Sequence, residues 1–397
     1  MSIPTIIVRI AFADNPLVTT PTWTDVSSYV REIRIRRGRQ DELNRMEAGT
    51  ADVTLSNTDR RFDPTNTSSP YAPGVLPMRR INIRATWASV TYDLFTGYIE
   101  SWPPDWPLSD DSSVTLPCVD AFGYLARARL SMSQAAMDAG ANIDDMLDLI
   151  SWPSGDRSIN AGLSTLQAWT ASDSIVLGMI QRLVESENGY FWVSADGKIY
   201  FRERSYRITN SRSTTSQGTF GDLAGELPYS AIVPAFDDTF IYNDVRITRT
   251  GGVQQTTGDS ASIQAYFRRA LIRSDLLIAN DNEAVDAAGW LLSQYKDAAL
   301  RFKRVTLDPQ ADDTNLWPHA LGRDFHDRIT VKRRPPGGGT AITQECFIEG
   351  VEHRMIAGPV TSWLTSWNLS PASSTGSYWV LDSATLSLLD STTRLIY

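Results

Sequence analysis

Two segments from different halves of the chain share one strand–turn–strand plan, and this similarity constrains the fold more than any single motif. Residues 80–100 read RINIRATWASVTYDLFTGYIE, and residues 328–352 read RITVKRRPPGGGTAITQECFIEGVE. Each begins with Arg-Ile-x-Ile/Val-Arg/Lys and ends in an apolar strand that reaches Gly97 or Gly350. The hairpin tips between these two parts differ in length. The alternative to a duplication is that two hairpins resemble each other by chance. The plan favours two related β-domains with an α/β portion between them.

The N-terminal part of the chain has the two-residue period of β-strands. Ile33 and Ile35 alternate with Arg34 and Arg36, which places apolar side chains on one sheet face and arginines on the other. Similar runs, separated by turn residues, predict further strands at residues 51–55, 80–85, 92–99 and 114–119. Strands spaced in this way are typical of a small barrel or sandwich.

The middle of the chain has helical spacing instead. One apolar stripe predicts a helix over residues 142–150, which the acidic pair Asp144-Asp145 is expected to begin. The stripe consists of Ile143, Met146, Leu147 and Ile150. A second helix is predicted behind Ser172 or Asp173 as N-cap. Its buried face would be formed by Val176, Met179, Ile180, Leu183 and Val184.

A hairpin and a polar stretch follow the second helix. Strands are predicted at residues 190–193 and 199–201, because the Asp-Gly in the turn Ala195-Asp196-Gly197 tolerates positive φ at little cost. The Arg-, Ser-, Thr- and Gln-rich residues 202–218 are expected to form a surface loop.

Strands return from about Phe240, interrupted by one longer helix. The strand run includes Ile241, Val245 and Ile247. Asn280 or Asp281 can cap the helix. Its apolar face is predicted to contain Val285, Ala288, Leu291, Leu292 and Tyr295. Residues 301–307 are again strand-like, and residues 371–377, PASSTGS, have the composition of a linker.

Composition narrows the class of protein. A chain of 397 residues suggests two or three domains, and 42% apolar residues are enough to build buried cores. A net charge of −9 argues against binding nucleic acid by neutralising phosphates. No export signal is visible, and no apolar run approaches the roughly 18 residues of a membrane span. We therefore expect a soluble, non-secreted, multidomain protein.

The few histidines limit the available metal and catalytic chemistry. His319 and His326 lie in a loop-like stretch, and with His353 they lack the spacing of a zinc site. A GxSxG nucleophile motif is absent, and GDSAS at residues 258–262 is interpreted as a turn. Gly337-Gly338-Gly339 lacks the Lys-Ser/Thr of a phosphate-binding loop and is predicted to be a hairpin tip.

The acidic clusters have structural interpretations. Asn57, Asp59 and Asp63 resemble a calcium loop but lack the Gly and Glu of an EF-hand, which favours a turn. Asp110-Asp111 is placed in a loop. No catalytic, cofactor-binding or metal-binding residue is predicted, although an Asp/Glu pair of a glycosidase remains an open alternative. Cys118 and Cys346 make no disulfide framework, and both are predicted to be reduced and buried in apolar strands.

Residues 23–64, WTDVSSYVREIRIRRGRQDELNRMEAGTADVTLSNTDRRFDP, resemble the opening domain of tail-tip or baseplate hub proteins of tailed bacteriophages, also called minor tail proteins. The resemblance covers nearly the whole chain, and its specificity comes from the order of the matching pieces. The further pieces are residues 94–102, 114–127, 189–204, 241–252 and 328–353.

The resemblance implies a mainly β fold with an α/β insert, in which two related tube-type β-barrel domains flank a mixed α/β portion. The implied boundaries are residues 1–135 for the first barrel, 136–235 for the insert, 236–372 for the second barrel with one long helix, and 373–397 for a C-terminal arm. Such a chain forms a homotrimeric, pseudo-sixfold hub that mates a hexameric tail tube with the tip.

The resemblance also implies a non-enzymatic virion protein of the tail tip, assembled in the host cytoplasm and active in host attachment and genome ejection. Its partners would be the distal tail ring protein, the tape-measure protein and tail fibre or tip proteins. Phage DNA would pass through the hub without being bound specifically. No cofactor and no membrane span are expected. A tail-associated cell-wall hydrolase and a hexameric distal tail ring protein are the alternatives.

Two surfaces are predicted to serve assembly. Arg34 and Arg36 project together from one strand, with Arg37 and Arg39 following across Gly38 near Asp41 and Glu42. The C-terminal residues 376–397 carry many apolar groups and are expected to dock on a neighbouring copy or on the next tip protein. The alternative for the arginines is a strand face that is only solvated. The alternative for the C-terminal residues is packing on their own second β-domain.

Overall fold

The computed structural model describes residues 3–106, 111–357 and 362–372, and the backbone of residues 377–378 and 393–394. The early strands are β1 (Thr5–Ala11), β2 (Thr24–Asp25), β3 (Val30–Gly38), β4 (Glu47–Ser56), β5 (Arg80–Trp87), β6 (Val90–Ile99), β7 (Ser113–Val119) and β8 (Arg129–Gln134). The central strands are β9 (Met137–Asp138), β10 (Arg157–Ile159), β11 (Thr165–Leu166), β12 (Trp169–Ile175), β13 (Tyr190–Val193), β14 (Ile199–Arg202), β15 (Thr219–Phe220) and β16 (Ala231–Ala235).

The remaining strands lie in the C-terminal half, and helices are spread between them. These strands are β17 (Asp244–Arg249), β18 (Gln255–Gly258), β19 (Ala270–Leu276), β20 (Arg301–Leu307), β21 (Arg328–Arg333), β22 (Ile342–Ile356), β23 (Ser362–Pro371), β24 (Ser377–Tyr378) and β25 (Thr393–Arg394). The α-helices are α1 (Ala121–Leu125), α2 (Ala139–Leu149), α3 (Val176–Glu187), α4 (Tyr206–Thr209), α5 (Ser211–Thr214), α6 (Ser260–Tyr266), α7 (Asp281–Tyr295) and α8 (Leu316–Gly322). Short 3-10 turns cover Ser27–Tyr29, Ser154–Asp156 and Pro309–Asp312.

One 13-stranded sheet joins the two β-rich halves of the chain. Its main order is β16-β20-β23-β22-β3-β4-β7-β6-β5-β1-β2, with β21 beside β22 and β15 beside β21. The halves meet where β22 pairs antiparallel with β3, and Gly350 lies opposite Gly38. We call this pairing the seam. The mainly β prediction is confirmed, and the closure of two separate tube-type barrels stays a prediction.

Both hairpins of the repeated sequence plan are present. β5 pairs antiparallel with β6, and β21 pairs antiparallel with β22. Each hairpin ends in a glycine for the same physical reason, because the backbone of a neighbouring segment approaches it too closely for a side chain. A Cβ atom on Gly97 would lie 2.4 Å from the Val119 carbonyl oxygen, and one on Gly350 would lie 2.7 Å from that of Arg39.

The two central helices begin at other residues than predicted. α2 begins at Ala139, because the Asp138 carboxylate caps it by accepting from the Ala141 N–H, so Asp144-Asp145 lies inside the helix. Ser172 and Asp173 belong to β12, since pairing with β8 extends that strand to Ile175. Strand pairing therefore prevails over the local capping signal, and α3 begins at Val176.

Other local predictions are confirmed with smaller corrections. The hairpin β13–β14 forms, and Gly197 in its turn has φ of +90°. The Asn280 side chain caps α7, but Val285 is exposed rather than part of its apolar face. GDSAS begins a helix instead of a turn, because Asp259 caps α6 through the Ser262 N–H. The three residues Gly337 to Gly339 all have positive φ at the tip between β21 and β22.

The buried cores cross the predicted domain boundaries. Trp317 of α8 and Trp363 of β23 pack with the apolar residues of β1, β3 and β4 in one cluster. Both cysteines are buried and free, which confirms their prediction, and burial raises the pKa of the Cys118 thiol. In the part of the chain that the structure describes, no helix is long and apolar enough to cross a membrane.

The seam gives a direct test of this fold. Gly38 has φ of +93°, and a Cβ atom there would lie 2.3 Å from the Glu349 carbonyl oxygen. We expect Gly38→Ala to lower the free energy of unfolding by about 2 kcal/mol or more, because strain and a backbone clash add. Urea denaturation measures this change. Gly155→Ala is the matched control, since no atom lies within 4 Å of its Cβ position. Equal stabilities of the two variants would contradict the close approach.

Candidate functional site

The outer face of the seam carries the predicted arginines Arg34 and Arg36. Their side chains are 57% and 56% exposed. Arg34 Nε donates to Glu32 Oε1 at 2.8 Å, and Arg36 Nη2 donates to Glu47 Oε2 at 3.1 Å. Exposed ion pairs of this kind contribute little to stability. Both guanidinium groups are therefore accessible to a partner surface, and the predicted alternation of this strand is confirmed.

The next two arginines do not extend this exposed face, contrary to the prediction. Arg37 is only 5% exposed, and its Nη2 donates to Asp324 Oδ1 at 3.0 Å. Its guanidinium also lies 4.9 Å from the centre of the Phe325 ring. Arg37 is buried because it continues the alternation of the strand, in which Ile33, Ile35 and Arg37 face inward while Arg34 and Arg36 face outward.

Arg39 belongs to a buried charge cluster on the inner side of the seam. Its Nε donates to Glu349 Oε2 at 2.8 Å, and Arg207 Nη2 donates to Glu349 Oε1 at 2.6 Å. Ser370 Oγ also donates to Oε1 of this carboxylate. Although burial opposes the charge of Glu349, the two guanidinium groups hold its pKa well below its usual range. The carboxylate is thus ionised and fully satisfied inside the protein.

His326 extends the same cluster and is fully buried, not part of a solvated loop as expected. Its Nδ1 accepts from Arg207 Nε at 3.0 Å. The rings of Tyr190, Trp192 and Tyr206 surround it, with centres 4.7, 4.8 and 5.6 Å away. Burial and the nearby Arg207 charge lower the pKa of His326, so the imidazole is neutral.

The other two histidines occupy different surroundings. His319 lies in α8, where its Nδ1 accepts from Arg323 Nε at 3.2 Å, and burial together with that arginine lowers its pKa to about 4. His353 Nδ1 lies 3.1 Å from Thr365 Oγ1, and burial lowers the pKa of this histidine to about 3. Among the described residues, no group of three His, Cys, Asp or Glu side chains could hold a metal ion.

Residues 202–218 do not form the predicted surface loop. They contain α4 and α5, and Arg207 and Ser213 are buried. Ser213 Oγ donates to the His326 carbonyl oxygen at 2.9 Å, and Arg212 Nε donates to Asp327 Oδ1 at 2.6 Å. The polar composition hid this role, because the acidic partners of these arginines lie more than 100 residues later in the chain.

A cavity of about 160 Å³ lies beside the charge cluster. The loop after β3, helices α3, α4 and α7, and strand β13 contribute to its walls. The aromatic rings along it belong to Phe122, Tyr190, Phe191, Trp290, Tyr295 and Phe347. Charged side chains also line it, and they belong to Arg39, Glu42, Arg204, Arg207 and Arg273. Arg45 and Glu185 lie at its exposed rim and form an ion pair with each other. This cavity was not predictable from the sequence, because its lining residues come from several distant segments.

The remaining candidates have structural roles or lie outside the described residues. Asn57 Oδ1 accepts from the Phe62 N–H, and Asp63 accepts from Arg60 and Thr65, which confirms the predicted turn. Asp111 pairs with Arg31, whereas Asp110 lies outside the described residues. The predicted C-terminal arm also lies outside them, except for the backbone of β24 and β25, which pair in parallel.

The charge cluster predicts that two glutamates of strand β22 differ greatly in their contribution to the free energy of unfolding. Glu349→Gln should lower the free energy of unfolding by about 3–5 kcal/mol, because it leaves two buried arginines without a counter-charge. Urea denaturation monitored by tryptophan fluorescence measures this loss. Glu352→Gln is the control, because Glu352 lies on the same strand, is 44% exposed and pairs with Arg304. We expect that variant to change stability by less than about 1 kcal/mol. A similar loss in both variants would contradict the cluster's role.

Known structures share this fold, although no family model matches the chain and no curated protein matches it in sequence. The tail protein from Neisseria meningitidis MC58 has a TM-score of 0.60 at 12% identity, over 92% of this chain and 96% of its own. The 43 kDa tail protein of prophage MuSo2 from Shewanella oneidensis has a TM-score of 0.55 at 13% identity, over 93% and 98%. A chain of the half-lidded Francisella PdpA-VgrG complex has a TM-score of 0.51 at 10% identity, over 93% and 58%. The predicted resemblance is confirmed at the level of fold: the chain has the fold of these phage tail proteins.

Proposed function

We propose that the chain is a structural virion protein that forms the hub of a phage tail tip and joins the hexameric tail tube or distal ring to the tip or fibres. The observation that carries this proposal is the likeness to two tail proteins over 92–93% of the chain. In this proposal, residues 1–135 and 236–372 are the two tube-type barrel domains, residues 136–235 are the insert, and residues 373–397 are an arm that docks on a neighbour.

The repeated hairpin plan supports three copies in the hub. The β5–β6 and β21–β22 hairpins occupy the two halves of one sheet, on either side of the seam. Each chain would then present two related β units, so three chains would present six. A homotrimer of this kind can mate with a hexameric tube, because the interface on the tube side has pseudo-sixfold symmetry.

The charge balance supports a role as a conduit for DNA. The net charge of −9 disfavours retention of a polyanion that has to slide through the hub. We place the protein at the tail tip of the virion after assembly in the host cytoplasm, with roles in host attachment and genome ejection. Its proposed neighbours are the distal tail ring protein, the tape-measure protein and the fibre or tip proteins.

The stoichiometry of the assembled chain tests the hub. Mass photometry of the purified full chain should give a species of three times 44.1 kDa. Antibody-gold labelling of phage particles should mark the tail tip. A mass of six chains would instead indicate the distal tail ring protein. A chain that stays monomeric and is missing from phage particles would contradict the proposal. A lysis band in a zymogram of cell-wall substrate would favour the hydrolase alternative.

The exposed seam arginines provide a separate test of assembly. We expect Arg34→Glu combined with Arg36→Glu to reduce particle assembly and infectivity at least tenfold, because a positive surface becomes negative. The melting temperature should change by less than about 2 °C, since both side chains are exposed. Arg127→Glu with Arg129→Glu is the control, with the same charge change at 65% and 54% exposure. Unchanged infectivity in the first variant would show that this face has no interface role.

A further inference from the structure

The wall of the cavity beside the charge cluster carries more positive than negative charge. Arg39 and Arg207 share one carboxylate, that of Glu349. Arg273 donates to Asn188 Oδ1 at 3.3 Å, and no acidic side chain among the described residues pairs with it. The other charged side chains of the wall are paired one to one, and the pairs are Arg45–Glu185, Arg204–Glu187 and Glu42–Arg301. The wall therefore has guanidinium groups in excess of carboxylates.

The same wall offers apolar surface that can be reached from outside. Tyr190 and Trp290 are half-buried rather than buried, and so are Leu43, Met46 and Val184. The volume of about 160 Å³ is close to the roughly 150 Å³ of a cavity that holds benzene, so there is room for an aromatic ring. Guanidinium groups favour carboxylates, which they bind through two parallel hydrogen bonds. The ligand that matches this wall is a carboxylate attached to an apolar body.

The chain itself carries such groups directly after this wall. Pro371 lines the cavity as the last residue of β23, and Ala372 is buried next to it. Residues 379–382 read Trp-Val-Leu-Asp and combine an indole ring with a carboxylate. Asp382 follows Ala372 by ten residues, and an extended chain of that length spans about 33 Å. So short a tether gives the segment a high effective concentration at the cavity.

We propose that residues 379–382 occupy this cavity of their own chain, with the Asp382 carboxylate paired with Arg273 and the Trp379 indole against Tyr190 and Trp290. Occupancy neutralises a surplus guanidinium group and covers apolar surface, so both contributions favour it. The inference rests on the proposed hub function for the role of the arm, which it deepens. An arm that is fixed at its root leaves residues 383–397 to reach a neighbour in a defined direction.

Protection from chymotrypsin tests this contact in the full-length chain. The protease cleaves after aromatic residues, and cleavage follows the population of the open state. Asp382→Asn should raise the rate of cleavage after Trp379 about tenfold or more, because it removes the charge that pairs with Arg273. Asp390→Asn is the matched control, since it makes the same change in the second Leu-Asp-Ser, at residues 389–391. That control should be cleaved like the wild type, and equal rates in both variants would overturn the pairing.

The receptor side of the contact has its own variant. Arg273→Met should raise the rate of cleavage after Trp379 as much as Asp382→Asn does, although it leaves the sequence around the cleaved bond unchanged. Arg354→Met is the control, because this arginine is 55% exposed and lies on the strand β22 at the seam. Protection that survives Arg273→Met would overturn the proposal.

Photo-crosslinking locates the segment. The photoreactive amino acid p-benzoylphenylalanine in place of Trp379 should form a bond within one chain, and mass spectrometry should place that bond in residues 181–191 or 290–295. Crosslinks between two copies, or outside the cavity, would overturn occupancy by the chain's own arm.

Benzoate, a carboxylate on an aromatic ring, distinguishes the arm from a ligand that comes from outside. An excess of benzoate should leave the melting temperature of the full-length chain unchanged, because the cavity is already occupied. A rise would show that the cavity is open to an external carboxylate and would overturn the arm as its occupant. These results are separable from the hub proposal, since mass photometry of a variant without the crosslink can still give a trimer. A chain that forms the crosslink but stays monomeric and is absent from virions would overturn the hub alone.

Discussion

The structure depends on the pairing of β22 with β3, which are more than 300 residues apart in the chain and join its two β-rich halves. The pairing requires two backbones to approach so closely that Gly38 and Gly350 have no room for a side chain. It also places Glu349 in the protein interior, where a carboxylate needs compensating charge. Arg39 and Arg207 supply that charge from β3's following loop and from α4.

A buried ion cluster of this kind contributes more to the choice of structure than to net stability. Desolvation of three charged groups offsets much of their mutual attraction, so an apolar core of similar volume would be comparably stable. The cluster has another consequence, because Arg39, Arg207 and Glu349 come from three segments that are far apart in the chain. Each segment is correctly positioned only when the other two are, and this favours one relative arrangement of the parts.

That arrangement suits the proposed hub function. A hub has to transmit force and hold symmetry, and a continuous sheet with a hydrogen-bonded seam deforms less than two domains on a flexible linker. The outer face of the seam carries charged side chains that contribute little to stability. Phe267 is held in a backbone conformation that is strained for a residue with a side chain. Both features are easier to explain by contacts between chains than by the folding of one chain.

The sequence by itself determined the local structure wherever one period or one cap dominated. The alternation around Ile33, the Asp-Gly hairpin turn and the Asn280 cap each depend on residues a few positions apart, and each was predictable. The tertiary structure alone decided the start of α3, the burial of Arg207 and His326, and the sharing of one sheet by both halves. These features depend on partners that lie far away in the chain, such as β8 for β12 and Glu349 for Arg207. A polar segment such as residues 202–218 resembles a loop until its distant counter-charge is in place, because the free energy of burying an arginine depends on that partner.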